Sequence, residues 1–99
     1  MDSLRTPAEM RVELGRRVRR LRLARNWRLA TLSERAGLSL PTLQRFETTG
    51  RITLDNLLKL ADALGRLGEV EALFRPPAAR SLAQLERETV EPSPQRGRR

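Results

Sequence analysis

Apolar residues over the first three-quarters of the chain recur at three- and four-residue spacings, and each run closes on a residue that ends helices. Met10, Leu14, Val18 and Leu21 mark one face of a helix from Ala8 to Arg25. Asn26 is suited to cap it in the left-handed region. Leu29, Leu32 and Ala36 form a second, shorter stripe that stops at Gly37. Leu38, Leu43 and Phe46 make the third, opened by Ser39 as cap and by Pro41 in the first turn, where a missing N–H costs nothing. That helix is expected to end near Thr48, with Gly50 available to reverse the chain. Leu54, Leu57, Leu58, Ala61 and Leu64 lie on a fourth helix, capped by Thr53, with Asp55 favourable to its dipole and Gly65 at its end. A short fifth helix, Leu67 to Phe74, carries Val70, Leu73 and Phe74, and Pro76 and Pro77 halt it. Nothing reads as strand, so the pattern predicts an all-α fold of five helices.

The same pass divides the chain. Residues 1–8 show no periodicity and are expected as a flexible arm; residues 9–75 hold the five helices. Residues 76–99 form a tail, with a capping box at Ser81 and Gln84 that predicts a short helix over 81–89. Leu82 and Leu85 give that helix a small apolar edge, whereas Pro92, Pro94, Arg96, Arg98 and Arg99 suggest disorder. Trp27, the single tryptophan, is expected to plug the core.

The stretch WRLATLSERAGLSLPTLQRFE, Trp27 to Glu47, carries most of the functional information. It predicts two short helices joined by a tight turn at Gly37, with the small Ser33 where the first should cross the second. That is the layout of a helix-turn-helix, whose second helix enters the DNA major groove.

Charge agrees with this reading. The 99 residues include 20 basic and 12 acidic ones, a formal net charge of +8, and Lys59 is the only lysine. Arginine binds phosphate and guanine edges in fork geometry. GC-rich coding accounts equally well for the preference of arginine over lysine, but it leaves the net charge unexplained, and that charge points to a polyanion. Arg16, Arg17, Arg19 and Arg20 sit opposite the apolar face of the first helix, either as solvated charge or as a DNA-backbone contact.

Other chemistries lose support. The chain has no cysteine and no histidine, hence no thiolate site and neither the commonest metal ligand nor the commonest general base. No glycine-rich phosphate loop is present. The chain is therefore expected not to be an enzyme, and to need no metal and no cofactor. No apolar run approaches the length of a membrane span, and no signal-peptide core opens the chain. The expectation is a soluble, cytoplasmic, prokaryotic and nucleoid-associated protein with no membrane partner.

Residues 14–64 resemble the Cro/lambda-repressor type of helix-turn-helix, the Xre family. The resemblance rests on Leu14, Val18, Leu21 and Arg22, then Leu32, Ser33 and Ala36, and then the turn Gly37-Leu38-Ser39. Thr42, Leu43, Arg45, Phe46 and Glu47 follow, and Leu57, Leu60, Ala61 and Leu64 complete it. It implies a five-helix lambda-repressor-like domain whose third helix reads base edges through Leu40, Pro41, Gln44, Arg45 and Thr48. Ser39 and Thr42 would then lie near phosphates. Gln44 would suit adenine, Arg45 guanine, and Leu40 a thymine methyl. It further implies a structural ion pair between Arg22 and Glu47, and weaker backbone contacts from Arg16, Arg17 and Arg20.

Two departures qualify that picture. The family usually opens its second helix with a Thr cap followed by Gln, which helps hold the DNA backbone. Here the positions are Arg28, which can replace the contact electrostatically, and Leu29, which cannot donate to a phosphate. Leu40 and Pro41 also make the front of the reading helix apolar, so shape and arginine contacts would carry more of the specificity.

Three functions fit. The first is a repressor binding a palindromic operator in double-stranded DNA as a homodimer, since one reading helix spans only a few base pairs. The apolar residues of the fifth helix and the 81–89 segment would supply the dimer surface, or the fifth helix merely completes the core. The second is the antitoxin of a toxin–antitoxin pair. The run ALGRLGEVEALFRPP, with the short leucine helix and Arg-rich end after it, resembles HipB-like regulators, which implies a HipA-like kinase toxin as partner. The third is a protein–protein adaptor that uses the domain without specific DNA binding.

Overall fold

The computed structural model describes residues 5–77. Five helices follow one another: α1 (Pro7–Ala24), α2 (Leu29–Ala36), α3 (Leu40–Thr49), α4 (Leu54–Ala63) and α5 (Leu67–Glu71). The described residues contain no strand.

Local chemistry sets most of the boundaries. α1 opens with a capping box in which Thr6 Oγ1 accepts from the Glu9 amide at 3.1 Å and Glu9 Oε1 accepts from the Thr6 amide at 3.0 Å. Pro7 then occupies the first helical position, where its fixed φ is an advantage. The arm expected through residue 8 is corrected accordingly, because the chain is helical from Pro7. At the other end, Asn26 is left-handed at φ 58, and the Trp27 amide donates back to the Arg22 carbonyl at 3.1 Å. This is a Schellman ending, and it aims the chain toward α2.

The α2–α3 turn uses the same device. Gly37, at φ 72, lets the Leu38 amide return to the Ser33 carbonyl at 2.9 Å, which carries the Leu38 side chain into the core. Ser33 is buried, as expected of the small residue at the crossing. Ser39 and Thr53 cap α3 and α4 through their hydroxyls.

The core consists of Leu32, Ala36, Leu38, Leu43, Phe46, Leu60 and Leu64, with Leu14, Val18, Leu21, Leu29 and Leu57 packed around it. All four helices from α1 to α4 contribute to this layer. Fully burying a side chain such as Leu32 or Phe46 stabilises the fold by about 1.5–3 kcal/mol.

Two expectations give way. Trp27 is half-buried at the edge of the core, and the guanidinium groups of Arg25 and Arg35 lie 5.0 and 4.6 Å from its ring centroid. Trp27 packs against the core from its edge, and cation–π attraction holds its outer face. The fifth helix is also shorter than Leu67 to Phe74. It stops at Glu71, and Phe74 turns outward at φ 61 with 98% of its surface exposed. Only Val70 of its apolar residues is tucked in, too little to hold a second turn. The expected helix over 81–89, like the rest of the tail from residue 78, lies outside the described residues. Among the described residues, no helix is long and apolar enough to cross a membrane.

Candidate nucleic-acid interface

α3 divides into two sides. Leu43, Phe46 and Glu47 are buried, while Leu40, Pro41, Gln44, Arg45 and Thr48 are exposed; the last four share an arc of about 100° on the other side of the helix, with Leu40 at its edge. Gln44 and Arg45 thus stand side by side, facing solvent. Thr48 is less free than its exposure suggests. Its single O–H is shared between the carbonyls of Gln44 at 3.0 Å and Arg45 at 3.2 Å, leaving a methyl and the oxygen's two lone pairs for any ligand. Ser39 is tied up as well: its Oγ accepts from the Thr42 amide at 3.2 Å and donates to Thr42 Oγ1 at 2.7 Å.

Beside α3 an open groove of about 220 Å³ runs between Thr42, Arg45, Arg51, Ile52, Thr53 and Asn56. Arg45 and Arg51 line it from an exposed helix and an exposed loop, and Asn56 belongs to the first turn of α4. A groove with two guanidinium groups, hydroxyls and an amide suits a phosphate chain. Sequence reasoning missed Arg51 and Asn56. Their signal was a basic residue directly after Gly50 and a polar side chain in the first turn of the next helix.

Arg28 stands at the N-terminus of α2, where its side chain makes no cap. The leading N–H groups of α2 have no partner within the helix, and the positive end of the dipole adds to the Arg28 charge. An anion would be stabilised there.

α1 holds this assembly from behind. Arg22 Nε and Nη2 donate to the two carboxylate oxygens of Glu47 at 2.8 and 2.9 Å, and Nη1 donates to the Trp27 carbonyl at 3.0 Å. Both partners are buried. The hydrogen bond with Glu47 raises the Arg22 pKa above the ordinary arginine value, against the opposing effect of burial. One guanidinium therefore ties the end of α1, the approach to α2 and the end of α3 to a single point, with no DNA contact required.

The arginines on the outside of α1 are unequal. Arg17 Nε and Arg20 Nη2 lie 3.0 and 3.2 Å from Glu13 Oε2, with Arg5 at 3.9 Å. The Arg17 hydrogen bond is the main reason that the Glu13 carboxyl is held below the usual glutamate range. The side of α1 that meets α3 is marked by buried Gly15 and Arg22. At 3.6 residues per turn, Arg20 and Arg17 stand about 140° and 160° around α1 from Gly15, and Arg16 about 100°. On these angles Arg17 and Arg20 lie on the side of α1 away from α3, and Arg16 lies between the two sides. Arg19, about 40° from Gly15, is the exposed arginine that flanks α3.

A helix-turn-helix family model matches residues 18–70, more than half of the chain. The chain belongs to the helix-turn-helix family of the Cro/lambda-repressor type, the Xre family. No curated protein matches it. As an Xre-type domain it has the all-α, lambda-repressor-like fold, and it is a DNA-binding domain of the regulatory kind. Within this helix-turn-helix domain, α2 and α3 are the paired helices and Gly37 is the turn.

Proposed function

We propose that this helix-turn-helix protein is a sequence-specific repressor that reads a palindromic operator as a homodimer, with α3 in the major groove. The observation that carries the reading is the pairing of Gln44 and Arg45 on the open side of a helix whose other side is buried and ion-paired to α1. Those two side chains would read adenine and guanine edges. Leu40, 43% exposed, would meet a thymine methyl beside Pro41. Thr48 would face the bases beside them, while Arg28, Ser39 and Thr42 would lie along the backbone, joined by Arg51 and Asn56 in the adjoining groove. Dimerisation is supported by geometry, since a single reading helix covers only a few base pairs. The exposed Leu67, Leu73 and Phe74 at the end of the domain offer apolar surface for it.

Selection of bound sequences from a random duplex library, followed by titration of the selected duplex, tests the reading. Arg45→Ala is expected to weaken binding by about 1–3 kcal/mol and to relax the preference at one base position. Arg28→Ala should weaken all sequences alike and lower the slope of log affinity against log salt by about one. Two protomers bound per selected site are expected. No enriched sequence, with binding insensitive to salt, would favour the adaptor reading, for which the apolar front formed by Leu40 and Pro41 speaks.

The antitoxin version adds a HipA-like kinase toxin as second partner. Its support is the resemblance of the run from Ala63 to Pro77, together with the tail, which lies outside the described residues.

A further inference from the structure

The Arg22–Glu47 pair fixes α3 at one point, and a helix held at one point can still pivot. Closer to the N-terminus of α1, a second set of contacts removes that freedom. Gly15 is buried against the end of α3, and a Cβ placed on it would overlap the Phe46 carbonyl oxygen and press to 3.3 Å from the Glu47 carbonyl oxygen. One helical turn earlier the arrangement is reciprocal. A Cβ on Gly50, at φ 79, would collide with the backbone carbonyl of Arg11. Arg11 Nη1 meanwhile donates to the Thr49 carbonyl at 3.3 Å, satisfying an acceptor that the helix end leaves open. The atoms met by both hypothetical methyls are mainly backbone carbonyls, so no side chain can swing aside to admit them. The backbones touch there because Gly15 in α1 and Gly50 at the end of α3 each lack a Cβ.

From this geometry we propose that Arg11, Gly15 and Gly50 are positioning residues for DNA reading. Together with Arg22–Glu47 they set the angle at which α3 presents Gln44 and Arg45. The proposal rests on the DNA-reading function proposed above. Arg11 and Gly15 precede the residues matched by the family model, which begins at Val18. Gln44, Arg45 and Thr48 lie within one turn of the Phe46 and Glu47 carbonyls, so a displacement of α3 there is passed to the reading side chains nearly undiminished. Bidentate hydrogen bonds to base edges tolerate only a few tenths of an ångström, and a misplacement of about 1 Å can cost up to a hundredfold. Phosphate contacts, which are longer in range and carry no sequence information, are far less sensitive.

The experiment compares affinity for a duplex selected by the wild-type protein with affinity for a mixed-sequence duplex of equal length, at a temperature below all melting transitions. Gly15→Ala is expected to reduce the ratio of the two affinities about tenfold or more while changing mixed-sequence binding by less than about twofold. Gly65→Ala is the control. Its left-handed φ of 72 makes the substitution destabilising, yet nothing lies within 4 Å of the added methyl, and its selectivity should equal the wild type's. If Gly15→Ala does not fold, Arg11→Lys decides. It keeps the charge and loses the planar fork that reaches Thr49, and about a two- to threefold loss of selectivity is expected. Wild-type selectivity in folded Gly15→Ala overturns the proposal, as does wild-type selectivity in Arg11→Lys where that variant decides. So does an equal loss in Gly65→Ala, which would make the effect one of stability alone. A wild-type protein that prefers no duplex at all removes the DNA-reading function itself, and the proposal falls with it by a separate and recognisable route.

Discussion

The two sides of α1 use the same residue types to opposite ends. Toward α3, Arg22 meets Glu47 in a buried, two-pronged pair whose third donor is filled by the Trp27 carbonyl. Away from α3, Arg5, Arg17 and Arg20 gather on Glu13 with their own side chains 44–63% exposed. The inner pair has surrendered water and depends on its geometry, so it fixes where α3 sits. The outer arginines keep their water around a largely covered Glu13 carboxylate, and pairs with such exposed partners contribute little to stability. An arginine on α1 therefore takes its role from its angle relative to α3, and the number of basic residues conveys nothing of that.

Removing one partner from the inner pair is the strongest way to break this comparison. Glu47→Ala leaves a buried guanidinium with two donors unfilled, and a loss of about 3–5 kcal/mol is expected. For a domain of this size that is a large part of total stability. Urea denaturation followed by circular dichroism would measure it, and Glu13→Ala under the same conditions should produce no comparable loss. A cost below about 1 kcal/mol at Glu47 would mean that the buried pair is no anchor.

A smaller effect separates the outer arginines from one another. Arg19 flanks α3 and has no salt bridge among the described residues, whereas Arg17 and Arg20 share Glu13. Each phosphate left without its arginine lowers the slope of log affinity against log salt by about one. Arg19→Ala should show that decrease on duplex DNA, and Arg17→Ala should show clearly less. Equal slopes for the two variants would erase the distinction drawn from helical angle.

What the sequence disclosed follows the same division between local and tertiary causes. Helix existence, the caps at Ser39 and Thr53 and the turn at Gly37 depend on neighbours within a few residues, and apolar spacing exposed them. The Arg22–Glu47 pair spans 25 residues, and only the family resemblance suggested it. The start of α1 is written in the capping box of Thr6 and Glu9, but apolar spacing does not reach that far forward, and Pro7 falls in a stretch without periodicity although it is the first helical residue. The early end of α5 was not legible, because Leu73 and Phe74 continue an apolar pattern that the chain abandons for want of a surface to bury them. Gly15 has ordinary helical geometry, so only packing shows why a side chain is excluded there. Which arginines flank α3 depended on the rotation of α1 against α3, which no spacing rule contains. Arg51 and Asn56 come together with Arg45 only through the path of the α3–α4 loop.

The least effect, and the most direct test of the outer side, comes from acid. Hydrogen bonding from Arg17 first, then Arg20, together with the nearby Arg5 charge, holds the folded Glu13 carboxyl below its ordinary range. In the unfolded chain that carboxyl returns to about 4.3. Because the folded value is the lower, the unfolded state takes up the proton first as acid is added. The contribution of Glu13 to stability is therefore fully present above about pH 4.3 and is lost as the pH falls through the folded value. Glu13→Gln cannot make that change, so its melting temperature should lie slightly below the wild type's near neutrality and converge on it in acid. Added salt should shrink the neutral-pH gap, since the arginines of the cluster are exposed. A gap that stays constant into acid would show that Glu13 acts through packing or helix propensity, and the outer arginines would then have no carboxylate to hold them.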